Sequence, residues 1–289
     1  MNPPDLEDDQ AKLTHIADEM FRLVGGKETF VGRLPGIIAE AVEYVIDPIR
    51  TARTTVAELD NVEKTFIGLK VEHFLRDFIG VPKGIRDLRL AGQDVDVKNT
   101  VRSNWMIPPE TFRNTEPCIL VRVATERGNC SLGIIVAREE YLNKPNRDGK
   151  RGIKKEAFDR ILWILRDAPL PESRFAGLDM ERFRQLREMN GGSKRAAQFF
   201  RENEAMVIHR SVLEGLLHDQ KDYMKRLRGN GGARDILFKE KICLLSGYYH
   251  SKIIRHLGLP NCNSDEFISK KCSPPEWESV LDSNYRESI

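Results

Sequence analysis

Asp87, Asp96 and Lys98 are the residues of this chain best placed to do chemistry together. They fall within Ile85 to Lys98, IRDLRLAGQDVDVK, where apolar and charged residues alternate on both sides of Ala91-Gly92-Gln93. Alternation around a small-residue turn predicts a tight hairpin. Side chains alternate faces along a strand, so Asp94, Asp96 and Lys98 share one face while Val95 and Val97 point into a core. Asp87, on the first strand, would come opposite that face. Paired carboxylates suit Mg²⁺, a hard cation that takes oxygen ligands and keeps several waters, leaving room for a phosphate oxygen and an attacking water. Asp87 and Asp96 are then the expected metal ligands, with the Val97 carbonyl as a third oxygen. Lys98 would stand near the attacking water and stabilise charge on the pentacovalent phosphorus. That chemistry is metal-dependent phosphodiester hydrolysis. The alternative is a salt-bridged surface hairpin. An acidic residue two before a lysine also occurs at Asp148 and Asp219, but neither lies on a plausible strand behind a second acidic strand.

The flanking segments must hold this hairpin. Leu13 to Val24 and Leu34 to Ile46 have helical spacing, after an acidic tail. Glu58 to Ile79 is a longer helical stretch whose expected buried side is Leu59, Val62, Phe66, Leu69, Val71, Phe74, Leu75 and Phe78. Glu72 borders that stripe and could reach toward the hairpin. Trp105-Met106-Ile107, followed by Pro108-Pro109, reads as extended. Cys118 to Ala124 and Cys130 to Ala137 read as buried strands, and EAFDRILWIL as a closing helix. This order predicts an α/β domain over 10–168, its mixed sheet flanked by helices, then a linker over 169–174.

The remainder, 175–289, reads as mostly helical. Ser193 is a candidate cap for KRAAQFFREN, and Ala205 to Leu217 forms a second helix. Gln220 to Arg228 is expected as a third, with Lys221, Lys225 and Arg228 on one face. A glycine turn at 229–232 and a strand at Ile242 to Leu245 complete a winged helix-turn-helix pattern. Lys221, Lys225, Arg226, Arg228 and Arg234 are the DNA-contact candidates there; Arg50, Arg53 and Trp105 are those of the first domain. A merely solvated basic face is the plainer alternative.

Composition fits one large or two ordinary globular domains: 289 residues, 40% hydrophobic and 31% charged. The net charge of +2 says little globally, although Lys and Arg are dense over 194–234. No apolar run reaches the ~18 residues of a membrane span, and the acidic start is not a signal peptide. Five cysteines without CxxC spacing point to reduced thiols in a cytoplasm. A zinc site from His250, His256, Cys262 and Cys272 would lack the short paired knuckle of structural zinc, so four unrelated residues are preferred.

Two blocks then resemble a known family. Glu63 to Phe112, containing EKTFIGLKVEHFLRDF and LAGQDVDVKNTVRSNWMIPPETF, is similar to the NaeI-type restriction endonucleases, as is Gln220 to Pro260, from QKDYMKRLRGNGGARDIL to HLGLP. The spacing from Asp87 to Lys98 also fits the PD-(D/E)xK pattern of that nuclease superfamily, with Arg86 in place of the proline. The resemblance implies a nuclease domain joined to a CAP-like DNA-binding domain, acting as a homodimer with Mg²⁺. It places the metal site at Asp87, Asp96 and Lys98, with Glu72 at the family's helical acidic position. It further implies cleavage of palindromic double-stranded DNA, stimulation by a second DNA copy on the C-terminal domain, and a companion DNA methyltransferase. The resemblance weakens at the extreme N-terminus and is essentially lost after Pro260, so the rim of the effector site does not carry over, and a target sequence is not inherited from overall similarity.

Overall fold

The computed structural model describes residues 3–283 and 285. It opens with helices α1 (Pro3–Leu23) and α2 (Lys27–Ile46), a single turn α3 (Pro48–Thr51), and α4 (Asn61–Ile79). The acidic start is therefore part of α1, where buried Asp9 accepts from Arg138 Nε at 2.6 Å. Strands β1 (Leu88–Leu90) and β2 (Gln93–Thr100) follow, then β3 (Met106–Ile107), α5 (Pro109–Arg113), β4 (Pro117–Ala124), β5 (Asn129–Val136), β6 (Arg151–Gly152) and β7 (Leu162–Pro169). The main sheet runs β1-β2-β4-β5-β7. Only β2 and β4 pair in parallel, so the sheet is mixed, as expected.

Alternation along the central strands sorts the core into two layers. Ile119, Val121 and Val123 of β4, with Val95 and Val97 of β2, pack against α1, α2 and α4. Cys118 and Leu120 face the opposite layer, with Trp105, Ile107 and Phe112. Asp96 and Lys98 alternate with the two valines and so belong to that second side.

Helix α4 begins in a reciprocal cap: Asp60 accepts from Glu63 N while Glu63 accepts from Asp60 N. Its buried stripe is Ile67, Val71, Leu75 and Ile79. Here the sequence reading is corrected, because Val62, Phe66 and Leu69 are 66%, 50% and 44% exposed. The helix carries two apolar stripes, and the one spaced by four residues takes the core. A second correction concerns EAFDRILWIL. Lys155–Arg160 is a 3₁₀ turn, and the apolar run after it is β7, paired antiparallel to β5. A short apolar run satisfies either period, and the open edge of β5 decides it. Because β7 extends to Pro169, the chain leaves this unit later than expected.

Two compact units result. The first is 1–46 with 55–172, and the second is 47–54 with 173–289. The segment 47–54, expected within the nuclease domain, packs in the second unit: Ile49 lies against Gly215, and Ala52 is buried in that core. The second unit contains α6 (Met180–Arg187), α7 (Gly192–Glu202), β8 (Ile208–His209), α8 (Arg210–Leu216), α9 (Ala233–Phe238), β9 (Ile242–Ser246), α10 (Gly247–His256), β10 (Glu266–Lys271) and α11 (Pro274–Asp282). Its sheet is β8-β10-β9. Gly191, not Ser193, caps α7. Gln220 to Arg228 is not a helix. Only Tyr223–Arg226 forms a 3₁₀ turn, capped by Asp222, before the glycine run ends it. Among the described residues no helix is long and apolar enough to cross a membrane.

Candidate active site

The hairpin turns at Ala91-Gly92, both with positive φ (50° and 73°), and pairs Leu90 with Gln93 and Leu88 with Val95. Two consecutive positive φ values match the strand twist of a two-residue hairpin. β1 begins only at Leu88, opposite Val95, so it offers no strand partner to the Val97 N–H. Asp87, just before β1, supplies one: its Oδ2 accepts from Val97 N at 2.7 Å. The preceding loop is clamped by Asp94, whose Oδ1 accepts from Ile85 N at 2.7 Å. The approach leaves no space for a side chain at 84, where a Cβ on Gly84 would lie 2.2 Å from that oxygen. Asp94 thus shapes the loop, although it shares a strand face with Asp96.

Asp96 is 3% exposed. Its Oδ2 accepts from Thr111 Oγ1 at 2.6 Å, and its Oδ1 accepts a hydrogen bond from Lys98 Nζ. The same ammonium donates to the Val97 carbonyl at 3.2 Å and stands 3.8 Å from Asp87 Oδ2. Two carboxylates and one carbonyl therefore converge on a single cationic group. Burial, then hydrogen bonding with Asp96, pushes Asp87 up to about 6, against the pull of the Val97 N–H and Lys98. Burial works against the Lys98 charge, yet Asp96 outweighs it and holds the ammonium above the ordinary lysine range. Nearby Cys118 is pushed well above a normal thiol by burial and by Asp96.

Glu72 reaches the site from α4. Its Oε1 accepts from Arg76 Nη1 at 3.4 Å, and Arg76 also approaches the Asp87 carbonyl at 3.5 Å. Its charge acts on Asp87, raising it further. The structure thus brings together all four sequence candidates, Glu72, Asp87, Asp96 and Lys98. Among the described residues no three His, Cys, Asp or Glu side chains form a metal cage. The donor set is two carboxylates and a carbonyl, and the ammonium beside all three shows that they converge on one positive charge. Such a set fits a hard divalent cation that keeps water ligands.

Sequence reasoning gave three neighbours no part in the site. Thr111, fully buried on α5, orients Asp96 across fifteen residues of chain, and no local pattern announces it. Arg86, one residue before Asp87, pairs with Glu116 at 2.7 Å and donates to the Glu110 carbonyl. Arg76 could have been found, because it stands four residues after Glu72 on one helix.

The DNA-contact candidates divide differently. Trp105 is withdrawn: it is 1% exposed, and its indole N–H donates to the Val121 carbonyl at 2.8 Å. Arg50 is exposed, but with Arg53 it lies on the segment that joins the second unit. Lys221, Lys225, Arg226 and Arg228 are exposed, on a loop and not on one helix face. Arg234 is buried at 6% exposure. Of the residues weighed for zinc, Cys272 Sγ contacts Cys243 Sγ at 3.5 Å, His256 bonds Ser279, and His250 accepts from Ser246 N.

Residues 31–277 match the family described as Restriction endonuclease NaeI, so the similarity runs past Pro260, where the sequence reading ends it. The chain is also 27% identical over 254 residues to the type II restriction enzyme NaeI of Lentzea aerocolonigenes, covering 84% of this chain and 79% of that protein. A match running from α2 through both units into α11 is a match of the whole architecture, and the chain belongs to the NaeI family of restriction endonucleases.

Proposed function

We propose that the chain is a type II, Mg²⁺-dependent enzyme that hydrolyses duplex DNA at a specific palindromic site, with Glu72, Asp87, Asp96 and Lys98 as its catalytic residues. The observation that carries this reading is the convergence of Asp87, Asp96 and the Val97 carbonyl on the Lys98 ammonium. Asp87, Asp96 and the Val97 carbonyl would hold Mg²⁺, which when bound supplies positive charge to a phosphate oxygen and acidifies water. Thr111 fixes Oδ2 of Asp96 so that Oδ1 stays turned toward Lys98. Lys98 keeps its proton beside Asp96 and therefore acts as a charge at the reacting phosphate, stabilising the negative oxygens that form during attack. Glu72, steadied by Arg76, supplies a third carboxylate from the helix side. Attack of water at phosphorus, with departure of the 3′-oxygen, leaves a 5′-phosphate.

The partners follow from the family. A homodimer would set two such centres about a twofold axis, matching the symmetry of a palindrome and cutting both strands. The second unit, with its three-stranded sheet, short helices and exposed Lys221, Lys225, Arg226 and Arg228, would be a winged-helix domain that binds a second DNA copy as effector. A cytoplasmic enzyme of this kind acts beside a DNA methyltransferase that protects host sites. The test is incubation of the purified protein with phage DNA and Mg²⁺, then sequencing of the ends. Cuts at one palindromic sequence are expected. Binding to DNA with no cutting would instead describe a regulator that retains a vestigial nuclease domain.

A further inference from the structure

The second unit contains a cleft of about 1150 Å³ beneath the loop 224–232. Five basic side chains line it: Arg210, Lys225, Arg226, Arg228 and Arg234. Its two acidic groups are already engaged, since Asp235 accepts from Gly231 N at 2.7 Å and Asp265 is bonded to His209 at 2.7 Å. Arg234 is the unusual member. It is 94% buried, its Nε has no hydrogen-bond partner, Nη2 donates to the Leu244 carbonyl at 3.3 Å, and the Tyr285 side chain also bonds the guanidinium. Its guanidinium lies 5.2 Å from the Tyr285 ring, and among the described residues no carboxylate pairs with it. Burial holds its pKa below the usual arginine range. Asp235 acts on this charge without pairing with it, so a buried cation is left with an open donor, and a ligand that brings an anion relieves that cost.

Two aromatic rings stand at the same cleft. Tyr248 and Tyr249 are 68% and 56% exposed, with ring centroids 4.7 Å apart at 79°. They open α10, whose start is pinned: a Cβ on Gly247 would fall 2.0 Å from the Asn263 carbonyl oxygen, so only glycine fits there. A paired duplex has little use for this combination. Its base faces are stacked on one another, and its outer phosphates are served by exposed cations such as Arg226 and Arg228. An unpaired nucleotide, by contrast, has a free base face for an aromatic ring and a phosphate that can enter a recess.

We propose that this cleft seats one unpaired nucleotide of a DNA strand, with its phosphate on Arg234 and its base against Tyr248 and Tyr249. The proposal rests on the reading that the second unit binds DNA, and it narrows the ligand from duplex surface to an extruded or single-stranded nucleotide. The volume exceeds what a small ligand needs, typically ~300–1,000 Å³.

The experiment uses the full chain carrying Asp96→Asn, so that DNA survives. Fluorescence anisotropy at fixed salt compares a labelled single-stranded oligothymidylate with a duplex of equal length. The Tyr248→Ala/Tyr249→Ala double variant, whose changes are at exposed positions, should raise the single-strand Kd at least ~10-fold, since base–aromatic stacking is worth about 1–3 kcal/mol per base. Its duplex Kd should move by a much smaller factor, and Arg234→Met should show the same selectivity. Equal loss on both DNAs would overturn the proposal, as would single-strand binding indifferent to the tyrosines and to Arg234. If duplex binding also ignores Lys225→Ala and Arg228→Ala, the effector reading itself fails. If it depends on them while single-strand binding ignores the tyrosines and Arg234, only the nucleotide cleft fails.

Discussion

Thr111 shows how much of a site can rest on a residue that performs no chemistry. Its hydroxyl is the partner that fixes one oxygen of a nearly buried carboxylate. Thr111→Val keeps the volume and removes the donor, leaving Asp96 Oδ2 without that hydrogen bond. Cleavage should fall by about 10–100-fold, the usual cost of losing a group that orients a ligand, and Thr111→Ser should restore most of it. A valine variant that cuts at the parental rate would show that Asp96 is held by other means. His250 makes a second prediction at this scale. Burial, reinforced by Arg234, lowers it to about 4, and its Nδ1 accepts from Ser246 N at 2.9 Å. The unfolded chain, with a histidine near its ordinary value, takes up the proton first as pH falls. The neutral side chain therefore contributes fully above about pH 6.5, and that contribution shrinks as pH drops toward 4, by up to roughly 3 kcal/mol. Urea unfolding at pH 7 and pH 5 should show a clear loss for the parent and a smaller one for His250→Asn; equal losses would contradict the assignment.

At the scale of elements, the hairpin is legible because alternation on both sides agrees with a small-residue turn. The first strand begins at Leu88, however, so Asp87, read as on that strand, lies just before it, and Gln93, read as turn, pairs with Leu90. The helix bearing Glu72 was legible as a helix, but its rotation was not. Val62, Phe66 and Leu69 are as apolar as Ile67, Val71 and Leu75, and the sequence carries nothing that ranks one stripe above the other. β7 was read as a helix because Ile161 to Leu165 satisfies both periods and its partner, β5, lies thirty residues earlier. The loop Gln220 to Arg228 looked helical by the spacing of its lysines, whereas Asp222 and the glycine run confine it to a turn. Least legible was the excursion of 47–54, a tertiary event with no local signature. It leads to a prediction. The fragment from Ser173 to Ile289 lacks Ile49 and Ala52, and it also loses the Ala52 carbonyl that accepts from Arg184 Nη2 at 2.8 Å. It should be less stable than the same fragment joined to 47–54, on the order of 2 kcal/mol. Melting curves of the two pieces decide this, and identical midpoints would show that the segment contributes nothing.

For the whole molecule, the proposed second DNA site implies coupling between the two units. An effector accelerates cleavage only if it favours one state of the enzyme over another, and couplings of ~1–3 kcal/mol correspond to some five- to hundredfold in rate. Titration of an uncleavable oligonucleotide carrying the site into a reaction on single-site DNA should first activate and then inhibit. Competition at every concentration would leave a simple one-site endonuclease. Underneath this lies the claim that Asp87, Asp96 and Lys98 form the cutting centre, and one measurement reaches it directly. Phage DNA is incubated with Mg²⁺ and with the parent, Asp96→Asn or Lys98→Ala, and the rate of double-strand cleavage is followed while DNA binding is checked in parallel. The parent should cut at discrete sites, and each variant should bind DNA but cut on the order of a thousandfold more slowly, as expected when several kcal/mol of transition-state stabilisation is removed. Substantial cutting by both variants would place the active centre elsewhere in the chain.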